Sequence, residues 1–346
     1  MFSDVCMRKV LITKAGPPNV LKIVEEEKLV PNRGEVTIRV HFAGINFADL
    51  MMRLGIYGKQ APPIPFTPGY EVSGIITSIG EGVTEFEKGQ RVAALTGING
   101  YSEEVNVPVK QVVRIGDDIS FESAAAMPVT YLTAYHMLVE LGNIKAGDVV
   151  LIHHAAGGVG TAAIQIAKAF GAGTIFGVAS PSKKDFVENM GVRFIDREKE
   201  DFVMVVKKET NGAGVHHALD PVGGKHLKKS FKSLRSGGKL YAFGGSSFVS
   251  GPKIFKPTAL LRLLTSPKFS PLNMIGKNKA IFGVHMGTIK DMDLMREEIE
   301  ALVLMLNEKK IDPIIDSVFH FEDVAKAHYH IHDRKNKGKV LLDFTN

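Results

Sequence analysis

The stretch that decides the fold of this chain is VVLIHHAAGGVGTAAIQIAK, residues 149–168. An apolar, β-branched run enters three glycines within four positions, and an alanine-rich pattern follows at once. This order predicts a strand, a tight turn and the start of a helix. Gly157, Gly158 and Gly160 let the backbone approach a diphosphate, whose charge the helix dipole favours. The turn therefore predicts a dinucleotide site, although similar glycine turns also form for tight packing alone.

The next predicted strand, in TIFGVASPSKK (174–184), ends without a carboxylate. An acidic side chain there would hold the ribose 2′-hydroxyl of NAD. Ser180, Lys183 and Lys184 follow instead, and Arg197 comes after a third strand. These residues favour the 2′-phosphate of NADPH. The alternative is that the two lysines form an ordinary solvated helix start.

Length and composition narrow the class of protein. A chain of 346 residues predicts two domains, and 45% hydrophobic residues are enough to fill both cores. The 43 basic residues exceed the 37 acidic ones by only 6 and form no long tract, so no nucleic-acid partner is predicted. Cys6 is the one cysteine, which excludes an intramolecular disulfide and a multi-cysteine zinc site.

The N-terminus, MFSDVCMRKV, lacks the form of a secretory signal, and no apolar run reaches the 18 or so residues of a membrane span. We therefore expect a cytoplasmic protein that does not cross a membrane.

Two kinds of pattern divide the chain. From Val10 to Arg114, short alternating segments separated by Gly and Pro predict a mostly antiparallel β domain with few helices. After Phe121, an alanine-rich helix, SAAAMPVTYLTAYHML, leads into the glycines, and strands then alternate with helices to about Gly287. This α/β pattern predicts a doubly wound dinucleotide fold with six strands. They are VVLIHH (149–154), TIFGV (174–178), RFID (193–196), HHALD (216–220), KLYAFG (239–244) and AIFGVH (280–285).

The C-terminal part continues with a predicted helix over about 292–307. The final segment VLLDF (340–344) resembles a strand but has no obvious place in the six-stranded sheet. We expect it to return to the first domain.

With these features, the chain resembles the zinc-free quinone oxidoreductase branch of the medium-chain dehydrogenase/reductase superfamily. Within that branch it is most similar to the synaptic vesicle amine transport protein-like subgroup, through FADLM, SGPK (250–253) and GVHMGTI (283–289). The motifs that carry the superfamily resemblance are GINFADLMMRLGIY (44–57), PFTPGYEVSGIITSIGEGV (65–83), KGQRVAAL (88–95), AAAMPVTYLTAY (124–135), AAGGVG with Gln165, LDPVGG (219–224) and KGKVLLDF (337–344).

The resemblance implies a discontinuous GroES-like catalytic domain, residues 1–125 and 289–346, and a Rossmann NADPH-binding domain, residues 126–288. It also implies a homodimer joined through edge strands, for which KAIFGVH is a suitable segment. The implied activity is hydride transfer from NADPH to a small quinone or α,β-unsaturated carbonyl substrate.

The resemblance implies no metal. Zinc-dependent relatives place a histidine where this sequence has Tyr70, between Gly69 and Glu71, and a catalytic zinc needs about three protein ligands. Arg197 departs from the family pattern, in which a tyrosine is usual. The residues implied to contact the cofactor are Thr133, Ala156, Gly157, Gly158, Val159, Gly160, Ser180, Lys183, Lys184, Arg197, Phe243, Gly244, His285, Asn336, Gly338 and Lys339.

The implied catalytic residues are Asn46, Asp49 and Tyr57. Hydride transfer leaves negative charge on a carbonyl oxygen, so the Tyr57 hydroxyl, the Asn46 amide or a water would donate a hydrogen bond there. Each side chain also has a structural interpretation: Tyr57 as an interface aromatic, Asp49 as a helix-start residue and Asn46 as a turn former.

Two features remain outside this hypothesis. The adjacent pairs His153-His154 and His216-His217 are interpreted as structural, because neighbours on a strand point to opposite faces. Segment 244–278 combines apolar and basic residues, so it would either cover the active site, pack in a subunit interface or rest on an anionic membrane. The last case gives an alternative function: an NADPH-binding lipid-transfer or membrane-surface protein with little reductase activity.

Overall fold

A computed structural model describes residues 6–248 and 267–345. Most of segment 244–278, including SGPK and TALLRLL, therefore lies outside the described residues. The strands are β1 (Cys6–Ile12), β2 (Leu21–Glu27), β3 (Glu35–Ile45), β4 (Glu71–Ile79), β5 (Arg91–Leu95), β6 (Glu104–Pro108), β7 (Val112–Arg114), β8 (Val150–His153), β9 (Ile175–Ala179), β10 (Arg193–Asp196), β11 (Val215–Asp220), β12 (Leu234–Ala242), β13 (Ala280–Gly283), β14 (Ile315–His320) and β15 (Lys339–Asp343).

The helices alternate with the strands mainly in the middle of the chain. They are α1 (Phe47–Arg53), α2 (Phe121–Ala126), α3 (Pro128–Tyr135), α4 (Gly158–Ala169), α5 (Lys184–Asn189), α6 (Phe202–Glu209), α7 (His226–Ser233), α8 (Pro271–Ile275), α9 (Met292–Asn307) and α10 (Val324–His332). Short 3₁₀ turns cover Pro18–Val20, Gly58–Gln60, Val109–Gln111, Pro181–Lys183, Ser246–Phe248, Met286–Thr288 and Phe321–Asp323.

The described residues form two compact units. The first unit contains residues up to 132 and those from 289 onward, and the second contains residues 133–288. Each unit has its own sheet and its own hydrophobic core.

The sheet of the second unit has the strand order β10-β9-β8-β11-β12-β13, and every pairing in it is parallel. The sequence prediction of six strands in a doubly wound fold is thus confirmed. Strands of a parallel sheet are covered on both faces, which explains why β8 and β9 are continuous runs of buried residues. The order reverses at β8, and ligands of such folds bind beyond the carboxyl ends of strands at that point.

The first unit is mostly antiparallel, as predicted. Its larger sheet has the order β14-β15-β3-β4-β5-β7, with β6 also paired to β3, and β1 and β2 form a separate hairpin sheet. Strand β15 pairs antiparallel with β3, with Leu341 opposite Gly44. The predicted return of the C-terminus to the first domain is therefore confirmed.

The alanine-rich segment after Phe121 differs from the single helix that its composition predicts. It is divided into α2 and α3 at Met127-Pro128 and then continues as a π-helical turn, His136–Glu140. The division has a direct cause, because Pro128 lacks the N–H that would continue the hydrogen bonds of α2. The predicted helix over 292–307 is confirmed as α9.

Candidate functional site

The second unit contributes a turn between β8 and α4, which we call the glycine turn (residues 154–160). Gly157 is the N-cap of α4, no side chain caps this helix end, and its first turn contains no acidic residue. The first N–H groups of a helix have no partner within the helix. Together with the positive end of the helix dipole, they form an end suited to an anion.

The close packing of the glycine turn requires its last glycine. His154 has φ +54°, and a Cβ at Gly160 would lie 2.3 Å from the carbonyl oxygen of His154. A Cβ at Gly157 would meet the same oxygen at 3.3 Å. Ala156 is buried next to them. Of these two glycines, Gly160 therefore leaves less room for a side chain.

The carboxyl end of β9 brings two predicted phosphate contacts together. Ser180 directly follows β9, and the Arg197 N–H donates to the carbonyl oxygen of Ala179 at 3.0 Å. The Arg197 guanidinium has a neighbour in Glu198, at 3.5 Å, and its side chain is 35% exposed. Arg197 thus supplies a cationic side chain with access to solvent, and its backbone is anchored at the end of β9.

The two lysines of this region differ. Lys183 ends the short 3₁₀ turn after Ser180 and is half-buried, whereas Lys184 is exposed and lies 3.9 Å from Glu188, one helical turn along α5. Lys184 therefore matches the alternative interpretation, in which the lysine belongs to an ordinary solvated helix start.

Three further predicted cofactor residues of the second unit, Phe243, Gly244 and His285, follow strands, and Thr133 lies in a helix. The Phe243 N–H donates to the carbonyl oxygen of Asp220 at 3.2 Å, and a Cβ at Gly244 would lie 2.7 Å from the carbonyl oxygen of Pro221. His285 follows β13 and is half-buried. Thr133 is buried in α3. Phe243 and Gly244 therefore lie at the carboxyl edge that the topology selects.

In the first unit, three side chains from distant parts of the sequence form an ion-pair cluster: Asn46, Glu71 and Lys339. The Lys339 ammonium forms an ion pair with the Glu71 carboxylate and donates to Asn46 Oδ1 at 2.7 Å. Asn46 Nδ2 donates to Glu71 Oε1 at 2.8 Å, and the Val129 N–H donates to Glu71 Oε2 at 2.6 Å. Glu71 and Lys339 are 0% and 3% exposed.

The ion-pair cluster changes the interpretation of two predicted residues. Both polar atoms of the Asn46 amide are engaged within the cluster, so the amide is poorly placed to donate to a substrate oxygen. The Lys339 ammonium holds Asn46 and Glu71, which favours a positioning function over direct cofactor contact. Asn336 and Gly338 lie just before it, and Asn336 Nδ2 donates to the Gly338 carbonyl at 3.1 Å.

Glu71 was absent from the sequence-based site. One signal in the sequence could have indicated it: Glu71 is the first residue of an apolar strand, EVSGIITSI. A carboxylate buried in such a strand requires a charged or hydrogen-bonding partner. The identity of that partner is a tertiary fact, because Lys339 lies 268 residues away.

Asp49 is a structural residue in this arrangement. It is fully buried at the start of α1, where it forms a capping box with Asn46. Its carboxylate accepts from the Asn46 N–H at 2.8 Å, the Tyr101 hydroxyl at 3.0 Å and the Gly69 N–H at 3.2 Å. Burial raises the pKa of Asp49 to about 7. The geometry matches the helix-start interpretation.

Among the predicted hydrogen-bond donors, Tyr57 has a hydroxyl that is hydrogen-bonded to another phenol. Its ring is half-buried against the core of the first unit, and its hydroxyl shares a hydrogen bond with that of Tyr70. Burial raises the pKa of both phenols, so both hydroxyls retain their protons at neutral pH. The Tyr70 hydroxyl also contacts Met52 Sδ at 3.4 Å.

The surroundings of Glu71 do not fit a catalytic zinc ion. The Glu71 carboxylate is neutralised by an ammonium group, and Tyr70 takes the neighbouring position. Within residues 6–248 and 267–345, no three His, Cys, Asp or Glu side chains converge there.

Comparisons with known proteins identify the family. Residues 158–308 match the family described as zinc-binding dehydrogenase, and residues 32–117 match the alcohol dehydrogenase GroES-like domain. The synaptic vesicle membrane protein VAT-1 homolog of Rattus norvegicus is 36% identical over 340 residues, which cover 97% of this chain and 84% of that protein. The chain belongs to the VAT-1-like branch of the medium-chain dehydrogenase/reductase superfamily. The resemblance seen in the sequence is therefore confirmed.

Other relatives of the VAT-1-like chain include reductases. A probable quinone oxidoreductase of Schizosaccharomyces pombe is 30% identical and matches 96% of each chain. The crystal structure of the human VAT-1 homolog-like protein has a TM-score of 0.86 at 33% identity, covering 99% of each chain. That of Escherichia coli quinone oxidoreductase complexed with NADPH has a TM-score of 0.84 at 28% identity, covering 97% of this chain and 99% of that one. The VAT-1-like chain is an oxidoreductase with GroES-like and Rossmann-like parts.

The two histidine pairs of the VAT-1-like chain behave differently. His153 is buried and His154 is exposed, so these neighbours diverge as expected. The prediction that His216 and His217 face apart is wrong, because their Nε2 atoms lie 3.4 and 3.0 Å from the two carboxylate oxygens of Asp148. The cause is a register irregularity of β11 between Val215 and His217, which breaks the strand alternation.

The described part of segment 244–278 in the VAT-1-like chain includes α8. Leu272 and Ile275 on this helix are 82% and 74% exposed. Among residues 6–248 and 267–345, no helix combines the length and the apolar character that a membrane span requires.

Proposed function

We propose that this protein transfers hydride from NADPH to a quinone or an α,β-unsaturated carbonyl compound without a metal ion. The observation that carries the proposal is the end of β9, which no acidic residue follows directly. Ser180 comes next in the chain, and the Arg197 N–H donates to the carbonyl oxygen of Ala179, the last residue of β9. Strand β9 lies beside β8, which leads into the glycine turn. A 2′-phosphate would find a hydroxyl and a cation there, while a 2′-hydroxyl would find no carboxylate acceptor directly after β9.

The residues of the second unit fit a dinucleotide. Gly157–Gly160 would hold the diphosphate, and Ser180, Lys183 and Arg197 would hold the 2′-phosphate. Bound NADPH supplies the hydride. The NADPH complex of the Escherichia coli quinone oxidoreductase, which has the same fold, supports this choice of cofactor.

In the first unit, we assign the substrate-facing hydrogen bond to Tyr57. Charge on the carbonyl oxygen must be met by a donor that is already in place, and the Tyr57 hydroxyl is protonated and oriented by Tyr70. Asn46 and Lys339 are positioning residues in this proposal, since their polar atoms hold Glu71. The Lys339–Glu71 ion pair supports zinc independence, because the Lys339 ammonium already occupies the cation position beside the Glu71 carboxylate.

The first test is titration of the protein with NADPH and NADH by nicotinamide fluorescence, followed by NADPH oxidation with ortho- and para-quinones. We expect NADPH to bind more tightly than NADH and quinones to be turned over. Tyr57→Phe should lower kcat on the order of 100-fold with unchanged NADPH affinity. Tight binding without turnover of any quinone or enone would refute the reductase proposal but leave the cofactor assignment intact.

A membrane-surface function is a second candidate, supported by the exposed Leu272 and Ile275 of α8. Liposome sedimentation tests it. Salt-sensitive pelleting with anionic vesicles and no NADPH oxidation would favour it over the reductase.

We also propose a homodimer. Among residues 6–248 and 267–345, β13 is the terminal strand of the six-stranded sheet, and no described strand pairs with its outer edge. Such an edge could pair with the same strand of a second copy. Analytical ultracentrifugation gives the mass, and a monomer at micromolar concentration would reject the dimer without affecting the enzymatic proposal.

A further inference from the structure

Three side chains outside the proposed catalytic machinery converge at the carboxyl edge of the parallel sheet. His153 ends β8, Asp220 ends the adjacent strand β11, and His226 begins α7. One ligand atom from each, an imidazole nitrogen or a carboxylate oxygen, lies within 4.8 Å of the other two. The His226 Nδ1 to Asp220 Oδ2 distance is 2.7 Å, and the two imidazole centroids are 4.4 Å apart.

The burial of this cluster resembles a binding site with one open side. His153 and Asp220 are 2% and 0% exposed, whereas the His226 side chain is 25% exposed. Solvent and a small ion would thus enter past His226.

The carboxylate is oriented by the protein backbone. Asp220 Oδ1 accepts from the Val222 and Gly223 N–H groups at 2.8 and 3.1 Å, which leaves Oδ2 directed toward His226 and Ser230. Such outer contacts are typical of metal-ligating carboxylates. Ser230 Oγ lies 3.1 Å from His153 Nε2 and 2.6 Å from Asp220 Oδ2, so it joins the two potential ligands.

We propose that His153, Asp220 and His226 bind a divalent transition metal ion of the Zn²⁺ class, at a site separate from Glu71. Two imidazoles and one carboxylate form a donor set that such ions prefer, with water completing the coordination. Ligands of a tetrahedral ion are separated by about 3.4 Å, given metal–ligand distances of about 2.0–2.1 Å. His226 is the first residue of α7 and is partly exposed, so its imidazole can move away from Asp220 from 2.7 Å to this spacing.

The ion would join the ends of β8 and β11 to the start of α7. Because β8 is distant in the sequence from β11 and α7, the ion should also stabilise the second unit, since a ligand that binds only the folded state raises its stability. This consequence does not depend on NADPH or on any substrate, so it can be tested apart from the proposed function.

The experiment is a Co²⁺ titration of chelator-treated full-length protein, followed by visible absorption and by thermal unfolding, with Zn²⁺ displacement as the last step. We expect one Co²⁺ per chain, ligand-field bands that Zn²⁺ abolishes, and a higher Tm with metal. His226→Ala should weaken Co²⁺ binding at least 10-fold. Ser230→Ala, which removes the competing hydroxyl but none of the three ligands, should retain the site.

The matched control is His330→Ala. His330 Nε2 contacts Asp316 Oδ2 at 2.7 Å with 23% side-chain exposure, nearly the geometry of the His226–Asp220 pair, but no third ligand joins it among the described residues. We expect this variant to bind Co²⁺ like the wild type, as should Cys6→Ser, which removes the exposed thiol. No saturable binding by the wild type, or equal weakening by His226→Ala and His330→Ala, would overturn the proposal.

Discussion

The glycine turn and the ion-pair cluster are polar sites built from different parts of the chain. The glycine turn is built from backbone N–H groups at one helix end, within seven consecutive residues. The ion-pair cluster is built from side chains of Asn46, Glu71 and Lys339, brought together by β3, β4 and β15. The turn is therefore sensitive to added bulk, whereas the cluster is sensitive to the loss of one of its two charges.

This difference has an energetic origin. A buried carboxylate that has lost its counter-ion destabilises the folded protein far more than two buried neutral side chains in the same place. A backbone turn has no charge to lose, and its weakness is steric, because an added Cβ meets a carbonyl oxygen that cannot move away cheaply. Substitutions in the two regions should thus fail in different ways.

The largest expected effect is in the ion-pair cluster. Lys339→Met leaves Glu71 buried without a cation, so the free energy of unfolding should fall by about 3–5 kcal/mol. Denaturant unfolding measures the change. Adding Glu71→Gln to Lys339→Met should restore much of the loss, since it removes the unpaired charge.

Lys229→Met is the control for this substitution. Lys229 pairs with Asp201 at 3.0 Å, but their side chains are 54% and 44% exposed, so the loss should stay below about 1 kcal/mol. Equal losses at Lys339 and Lys229 would mean that burial of the first pair does not matter.

The second prediction concerns pH and Asp49, which contacts Asn46 in the first unit. Its pKa is about 7 in the folded protein against 3.8 as the ordinary value. Between these values the folded protein binds one proton more than the unfolded chain, so the free energy of unfolding should fall as pH rises. The expected loss is about 1.4 kcal/mol per pH unit and ends above pH 7.

Denaturant unfolding of wild type and Asp49→Asn between pH 5 and 8 isolates this contribution, because the wild type should lose stability relative to the variant as pH rises. Asp117→Asn, at a fully exposed carboxylate, is the control and should show a constant difference. A constant difference for Asp49→Asn as well would show that Asp49 stays ionised when folded.

A smaller effect is expected at the strand end of the second unit. Arg197→Ala should raise the Kd for NADPH roughly 10- to 100-fold, because a hydrogen bond to a charged group contributes about 1.5–3 kcal/mol. The Kd for NADH should stay unchanged. Fluorescence titration measures both constants. Arg193→Ala, four residues earlier on β10 and paired with Glu209 at 2.8 Å, should change neither. Equal weakening of both cofactors would argue against a 2′-phosphate contact.

The smallest effect is expected from bulk in the glycine turn. Gly160→Ala should lower the free energy of unfolding by about 1–3 kcal/mol, because its Cβ would lie 2.3 Å from the His154 carbonyl oxygen. Gly157→Ala, with 3.3 Å to the same atom, should cost less. Thermal unfolding compares the two, and a reversed order would contradict the packing explanation.

Much of the fold was predictable because periodicity and turn residues are local. The six parallel strands, the glycine turn, α9 and the return of the C-terminus to the first domain all follow from patterns of a few residues each. The division of the alanine-rich segment at Pro128 was missed, although the proline itself was the signal. The contact of His216 and His217 with one carboxylate was missed because a strand irregularity leaves no mark in alternation.

The sequence by itself determined the position of the glycine turn and the absence of an acidic residue directly after β9, since both features lie within short segments. Only the tertiary structure decided that Lys339 neutralises Glu71, that Asp49 is a buried cap, and that His153 meets His226 across Asp220. The physical reason is that backbone sites are encoded by neighbours in the chain. Side-chain sites depend on strand order and register, which bring together residues far apart in sequence.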